Sequence, residues 1–206
     1  MNLFLRAKHW QIFLLTFGLP FVFQIVMMVN IFSNLMVNHN PGMILDYFKF
    51  FPIMMLLCVG TLFGWLWSVG MRLQKMVPAT VNMKTTRFKI FFFIPVVYIL
   101  LLMGFLTFVF SSGVIFSGGQ PNPEIFYLFP IIFPLHLFSM FCIFYCIFFV
   151  AKTIKTVELQ RTVVFSDFMA EFFLVWFNLI GIWILQPKIN KMADGNKSDL
   201  IENTDN

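Results

Sequence analysis

The sequence predicts an all-α fold, a polytopic transmembrane bundle of five helical spans. Three observations predict it. The first is composition: 60% of the 206 residues are apolar and 11% are charged, with a mean hydropathy of +0.86. An average soluble domain is about 45–50% apolar and about 25% charged, so 14 basic and 9 acidic residues cannot coat a globule of this length. The second is a series of charge-free runs. Each is long enough for the roughly 20 residues that cross about 30 Å of hydrocarbon. The third is the placement of lysine and arginine, which cluster in alternate connections.

The spans follow in order. The first covers about 10–37, behind Arg6 and Lys8. It is longer than the roughly 7–15 apolar residues of a signal peptide and lacks a small-residue cleavage site, so it is expected to stay as an uncleaved span. The second covers 50–71. The third starts near 90 and ends by about 116, because SGGQPNP (117–123) is loop chemistry. The fourth covers 124–151. Asn122 suits its N-cap, Pro123 its first position and Glu124 the positive end of its dipole. The fifth covers 168–187, capped by Ser166 or Asp167. Together 1–189 form one transmembrane domain. The tail 190–206, rich in Asp, Asn and Lys, is expected to be disordered.

Basic residues set the orientation. Arg6 and Lys8, then Arg72, Lys75, Lys84, Arg87 and Lys89, then Lys152, Lys155 and Arg161 fall on one side, against Lys49 on the other. The N-terminus is therefore expected in the cytoplasm, with the chain multi-pass in its membrane. A fifth crossing carries Lys188, Lys191 and Lys197 outside and weakens this bias. The alternative is four spans plus a re-entrant or interfacial segment over 168–187, broken near Asn178 and Gly181, with Trp176 and Trp183 at headgroup depth.

Several constellations could carry chemistry. Gly60, Gly64 and Ser68 recur every fourth residue, a small-residue face that lets helices approach closely. Gly104, Thr107 and Ser111 form a similar face that could pack against it. Glu171, Asn178 and Gly181 share a phase on the fifth helix, and an acid inside a span is by default a functional candidate. Its structural alternative is pairing with Lys152, Lys155 or Arg161. Gln24, Asn30 and Asn34 bring amides into the first span, either as interhelical glue or as part of a polar path. Pro130 and Pro134 free carbonyls beside His136 in the fourth span. A candidate path therefore comprises Glu171, Asn178, Gln24, Asn30 and His136.

Other features read as architecture. The 31 phenylalanines lie on all sides of the predicted helices, as generic lipid-facing residues do. Cys58, Cys142 and Cys146 sit in apolar runs as packing thiols. The acid-free basic stretch 72–89 is explained by topology and lacks the aromatic interleaving of nucleic-acid binders. The 152–167 segment extends span four or lies in the interface. It holds the densest mixture of charges and is the expected surface for a protein partner. Nucleotide-binding, zinc-protease and nucleophile-elbow motifs are absent from the sequence. No cofactor, metal or catalytic residue is expected.

ELQRTVVFSDF (158–168) and GIWILQPKIN (181–190) resemble segments of short, uncharacterised polytopic bacterial membrane proteins. The resemblance implies a bacterial inner-membrane setting and no particular activity. The expected function is a non-enzymatic accessory or assembly subunit of a membrane complex. The alternative is a small transporter or channel.

Overall fold

A computed structural model describes residues 3–38, 51–112, 116–117, 120–121 and 127–202. Lys49 and the expected helix start at Asn122, Pro123 and Glu124 lie outside the described residues. The elements are α1 (Leu3–Arg6), α2 (His9–Phe13), a π-helical turn (Leu14–Gly18), α3 (Leu19–Asn38), α4 (Phe51–Arg72) with a 3₁₀ turn (Leu73–Met76), α5 (Thr85–Ser112), the two-residue strands β1 (Phe116–Ser117) and β2 (Gln120–Pro121), α6 (Phe129–Leu159), α7 (Phe165–Trp176) and α8 (Asn178–Glu202). The strands pair antiparallel, Phe116 with Pro121 and Ser117 with Gln120, where the sequence predicts a loop.

Four helical stretches are long and apolar enough to cross a membrane: His9–Asn34, Pro52–Met76, Thr85–Val109 and Phe129–Leu159. A fifth is not found among the described residues. Helix ends run past the charge-free runs, because charge marks the edge of the hydrocarbon and not the end of the hydrogen-bond ladder. Thus α5 takes in Arg87 and Lys89, and α6 continues to Leu159. Gln160 ends α6 in the left-handed region at φ 50. Its N–H donates to the Thr156 carbonyl, and its side chain reaches the carbonyls of Val157 and Met76. A left-handed C-cap of this kind satisfies carbonyls that the helix leaves open.

The first of these stretches is continuous from His9 to Asn38 but widens at Leu14–Gly18. Pro20 explains the widening. It has no N–H to give, and its ring crowds the carbonyl four residues back, so the ladder shifts to a bond from Leu19 N–H to the Leu14 carbonyl.

The core gathers at the end of the bundle that carries the basic loop. Trp65, Leu66, Val69 and Leu73 of α4 meet Phe88 of α5, Cys146, Val150 and Ile154 of α6, Phe168 of α7 and Ile182, Leu185 and Ile189 of α8. Phe88 stacks on Phe149 with ring centroids 4.5 Å apart. Gln74 ties the same end together, donating to the Gly70 carbonyl and to Thr153 Oγ1. At the other end, α3 and the far parts of α5 and α6 expose most of their apolar side chains. Phenylalanine therefore serves both as core and as outward surface.

The last two helices form a hairpin. The 12 residues of α7 rise about 18 Å, short of the roughly 30 Å of hydrocarbon. The chain turns at Phe177, and α8 packs back along α7. Gly181 makes the turn possible, since a Cβ there would stand 1.7 Å from the Leu174 carbonyl oxygen. The packed part of the chain also runs beyond the expected boundary at 189. Asn190 bonds to the Ala7 carbonyl, Met192 and Ala193 pack on the core, and α8 is helical to Glu202, where a disordered tail was expected. The amides of Gln186 and Asn190 anchor this stretch to the N-terminal segment.

Candidate functional site

The root of the hairpin is built from charge. Lys155 lies near the end of α6, Glu171 two turns into α7, and Lys188 ten residues into α8. Because α8 returns antiparallel, Lys188 comes back to the level of Glu171. Lys155 Nζ lies 3.1 Å and Lys188 Nζ 3.0 Å from Glu171 Oε1. Glu158 Oε2 completes the arrangement, 3.0 Å from Lys155 and 2.6 Å from Lys188. Two cations and two anions thus alternate around a closed ring of zero net charge. Glu171 is the buried member, its side chain 6% exposed, while the other three keep access to water. Burial of one charge is offset by two charge-assisted bonds to the same oxygen. Glu171 Oε2 is buried without a hydrogen-bond partner.

The neighbouring pair is a local cap. Asp167 accepts the Val164 N–H at 3.0 Å and meets Arg161 at 3.2 Å. It occupies the third position of α7, with Val164 as N-cap, so it works as half of a capping box and not as the N-cap itself. The Val164 N–H holds its carboxyl below the usual carboxylate range, and Arg161 adds to this. Lys155, Glu158, Arg161 and Asp167, which make the 152–167 segment so charged, therefore pair within the chain.

The remaining expected residues are scattered. Asn178 caps the turn of the hairpin, buried, with neither its amide nitrogen nor its oxygen hydrogen-bonded. Gln24 and Asn30 lie on exposed faces of α3. Asn30 donates to the Val26 carbonyl and Asn34 to the Asn30 carbonyl. His136 is exposed on α6 and shares a 3.2 Å hydrogen bond with Tyr98 of α5. The helices bring Glu171 into the ion ring but do not gather these five side chains into one path. Among the described residues, no group of three His, Cys, Asp or Glu is placed to hold a metal ion.

The small-residue face divides. A Cβ on Gly64 would come within 2.8 Å of the Phe4 ring, so this glycine receives α1. A Cβ on Gly60 or Gly104 would meet no neighbouring atom within 4 Å, and Ser68 is half-buried. The two small faces do not pack on each other: α5 approaches α4 instead through aromatic rings, Phe63 against Phe92 and Trp67 against Phe88 and Phe92.

Gln186 was not legible as a site. It is fully buried, accepts the Trp65 indole N–H at 2.7 Å, and donates toward the carbonyls of Phe4 and Ala7 and toward Asn190 Oδ1. It joins α4, α8 and the N-terminal segment. Its one signal is an amide directly before Pro187 in an otherwise apolar run. No protein-family model, curated protein or solved structure matches this chain.

Proposed function

We propose that this chain is a non-enzymatic accessory or assembly subunit of a membrane complex, resident in a bacterial inner membrane. One observation carries the reading. α3 projects from the packed end of the bundle with Phe21, Val22, Ile25, Val26, Met28, Val29 and Phe32 exposed, and it presents Gln24 and Asn30 on exposed faces. Amides facing hydrocarbon are costly, and in membranes they pair across helices, each worth about 0.6–2 kcal/mol. The Asn30 amide nitrogen already donates to the Val26 carbonyl, and a transmembrane helix of a partner protein is the occupant that satisfies Gln24 and the Asn30 oxygen. The 152–167 segment is the secondary surface, offering Lys152 on the side where the basic residues gather.

The topology that accompanies this reading is four crossings and a re-entrant α7–α8 hairpin. Its support is the shortness of α7 and the return of Lys188 to Lys155, Glu158 and Glu171. Lys188, Lys191 and Lys197 then join the other basic residues on the cytoplasmic side, which strengthens the charge bias.

Purification in mild detergent is the test. A stoichiometric partner should accompany the chain, and Gln24→Leu with Asn30→Leu should lose it while the yield of the chain holds. A second reading, a small transporter, draws on the unpartnered Glu171 Oε2 and the unpartnered Asn178 amide on one hairpin. Recovery of a lone monodisperse protein that moves a solute across liposomes overturns the subunit reading in its favour.

A further inference from the structure

The seam between α5 and α6 changes character along its length. At the basic-loop end it opens into a cavity of about 260 Å³ lined by Asn82, Lys84, Arg87, Tyr145 and Lys152, among others, with no carboxylate in its wall. Lys84, Arg87 and Lys152 form no ion pair among the described residues, in contrast to Lys155, Lys188 and Arg161. The first turn of α5 also borders the cavity, and the positive end of a 28-residue helix adds to the field there. Lys84 and Arg87 are exposed and Lys152 is half-buried, so the hollow offers three accessible cations to an anion.

Further along, the seam narrows at an aromatic waist. Phe91 packs on Tyr145 and Phe141, with centroids 4.7 and 6.1 Å away. Beyond the waist lies a groove of about 630 Å³ whose wall is almost wholly apolar, including Ile94, Val97, Leu101, Leu135 and Phe138. Arg87, Ile94 and Leu101 recur every seven residues on α5, and Lys152, Tyr145 and Phe138 do the same on α6. At 3.6 residues per turn, each set lies along one face, so the two hollows follow one another along the same seam.

We infer that the α5–α6 seam holds one anionic phospholipid, its phosphate among Lys84, Arg87 and Lys152 and an acyl chain in the groove beyond Phe91. The order of the features matches the molecule: charge at the loop end, hydrocarbon toward the membrane centre. Basic pockets between helices at a membrane face suit anionic headgroups, and arginine and lysine supply the donors that phosphate oxygens accept. The proposal rests on the membrane embedding of these helices and not on a partner protein. Its failure would leave the co-purification test unaffected.

Native mass spectrometry of the full chain in detergent, offered equal phosphatidylglycerol and phosphatidylcholine, reads the site directly. The chain should retain phosphatidylglycerol preferentially. Each of Lys84→Gln, Arg87→Gln and Lys152→Gln should lower that preference about fivefold. Val97→Trp, which fills the groove from an exposed position, should reduce retention of phosphatidylglycerol with the cations intact. Lys75→Gln with Lys191→Gln, two exposed cations outside the seam, should leave it unchanged. Equal retention of both lipids, or equal losses from the seam and control variants, overturns the proposal. Displacement of the lipid by millimolar inorganic phosphate, with Val97→Trp silent, would assign the pocket to a free anion and overturn the lipid assignment.

Discussion

Gln186 divides one carboxamide among three parts of the chain: Trp65 on α4, the carbonyls of Phe4 and Ala7, and Asn190 on its own helix. In a buried setting such a network is stabilising only while every member is satisfied. Gln186→Leu keeps the volume but strands the Trp65 N–H and two carbonyls. The expected loss is about 1–3 kcal/mol. A thermal melt followed by thiol-reactive dye would read it, since Cys142 and Cys146 are free and buried; an unchanged melt would remove Gln186 from this role. Asp167 makes a pH-dependent contribution. Its folded pKa lies below the unfolded value of about 3.9, so its stabilisation is present above the unfolded pKa and fades as pH falls through the folded one. The melting temperature should drop between about pH 5 and the acid end of that window, and Asp167→Asn should flatten that part of the profile. A variant with the same acid slope as the parent would contradict the capping role.

The hairpin is the element on which the site depends, and its turn admits no side chain at Gly181. Gly181→Ala places a methyl group against the Leu174 backbone, where no rotamer offers relief. It should cost at least the roughly 1–3 kcal/mol of an overpacked core, read in the same melt as a lower midpoint, whereas tolerance of alanine would argue against the tight turn. This hairpin was only half legible in the sequence. The four long apolar helices could be read because charge must leave hydrocarbon, and the charge-free runs overlap each of them while missing its ends by up to eight residues. The break at Phe177 was legible only as an alternative, because Asn178 and Gly181 in FFLVWFNLIGIW suit a folded helix without excluding a continuous one. There the choice is made by contacts distant in sequence, such as Phe144 against Trp176 and Phe13 against Trp183. Glu171 was legible as an unusual acid, and Lys155 as one of its possible partners. Lys188 was not, since a straight fifth helix would carry it to the opposite face. Gln186 stayed hidden because an amide gives no periodic signal, and its partners on α4 and the N-terminal segment lie far away along the chain.

At the scale of the molecule, packing is uneven. The basic-loop half is tied by Gln74, Gln160, Gln186 and the ion ring, and its helices share one core. The far half exposes apolar side chains that suit lipid or a partner helix, with the amides of α3 set among them. The α7–α8 hairpin accounts for this asymmetry: it adds two helices to one half of the bundle and none to the other. It also gathers the basic residues of the last helix with those of the loops. Fusion of a reporter that is active only in the cytoplasm after Asn206, with the same fusion in the 72–89 loop as reference, tests that arrangement most directly. The four-crossing account predicts activity at both positions. Activity in the loop with silence after Asn206 would mean that 168–187 crosses the membrane, and would contradict it.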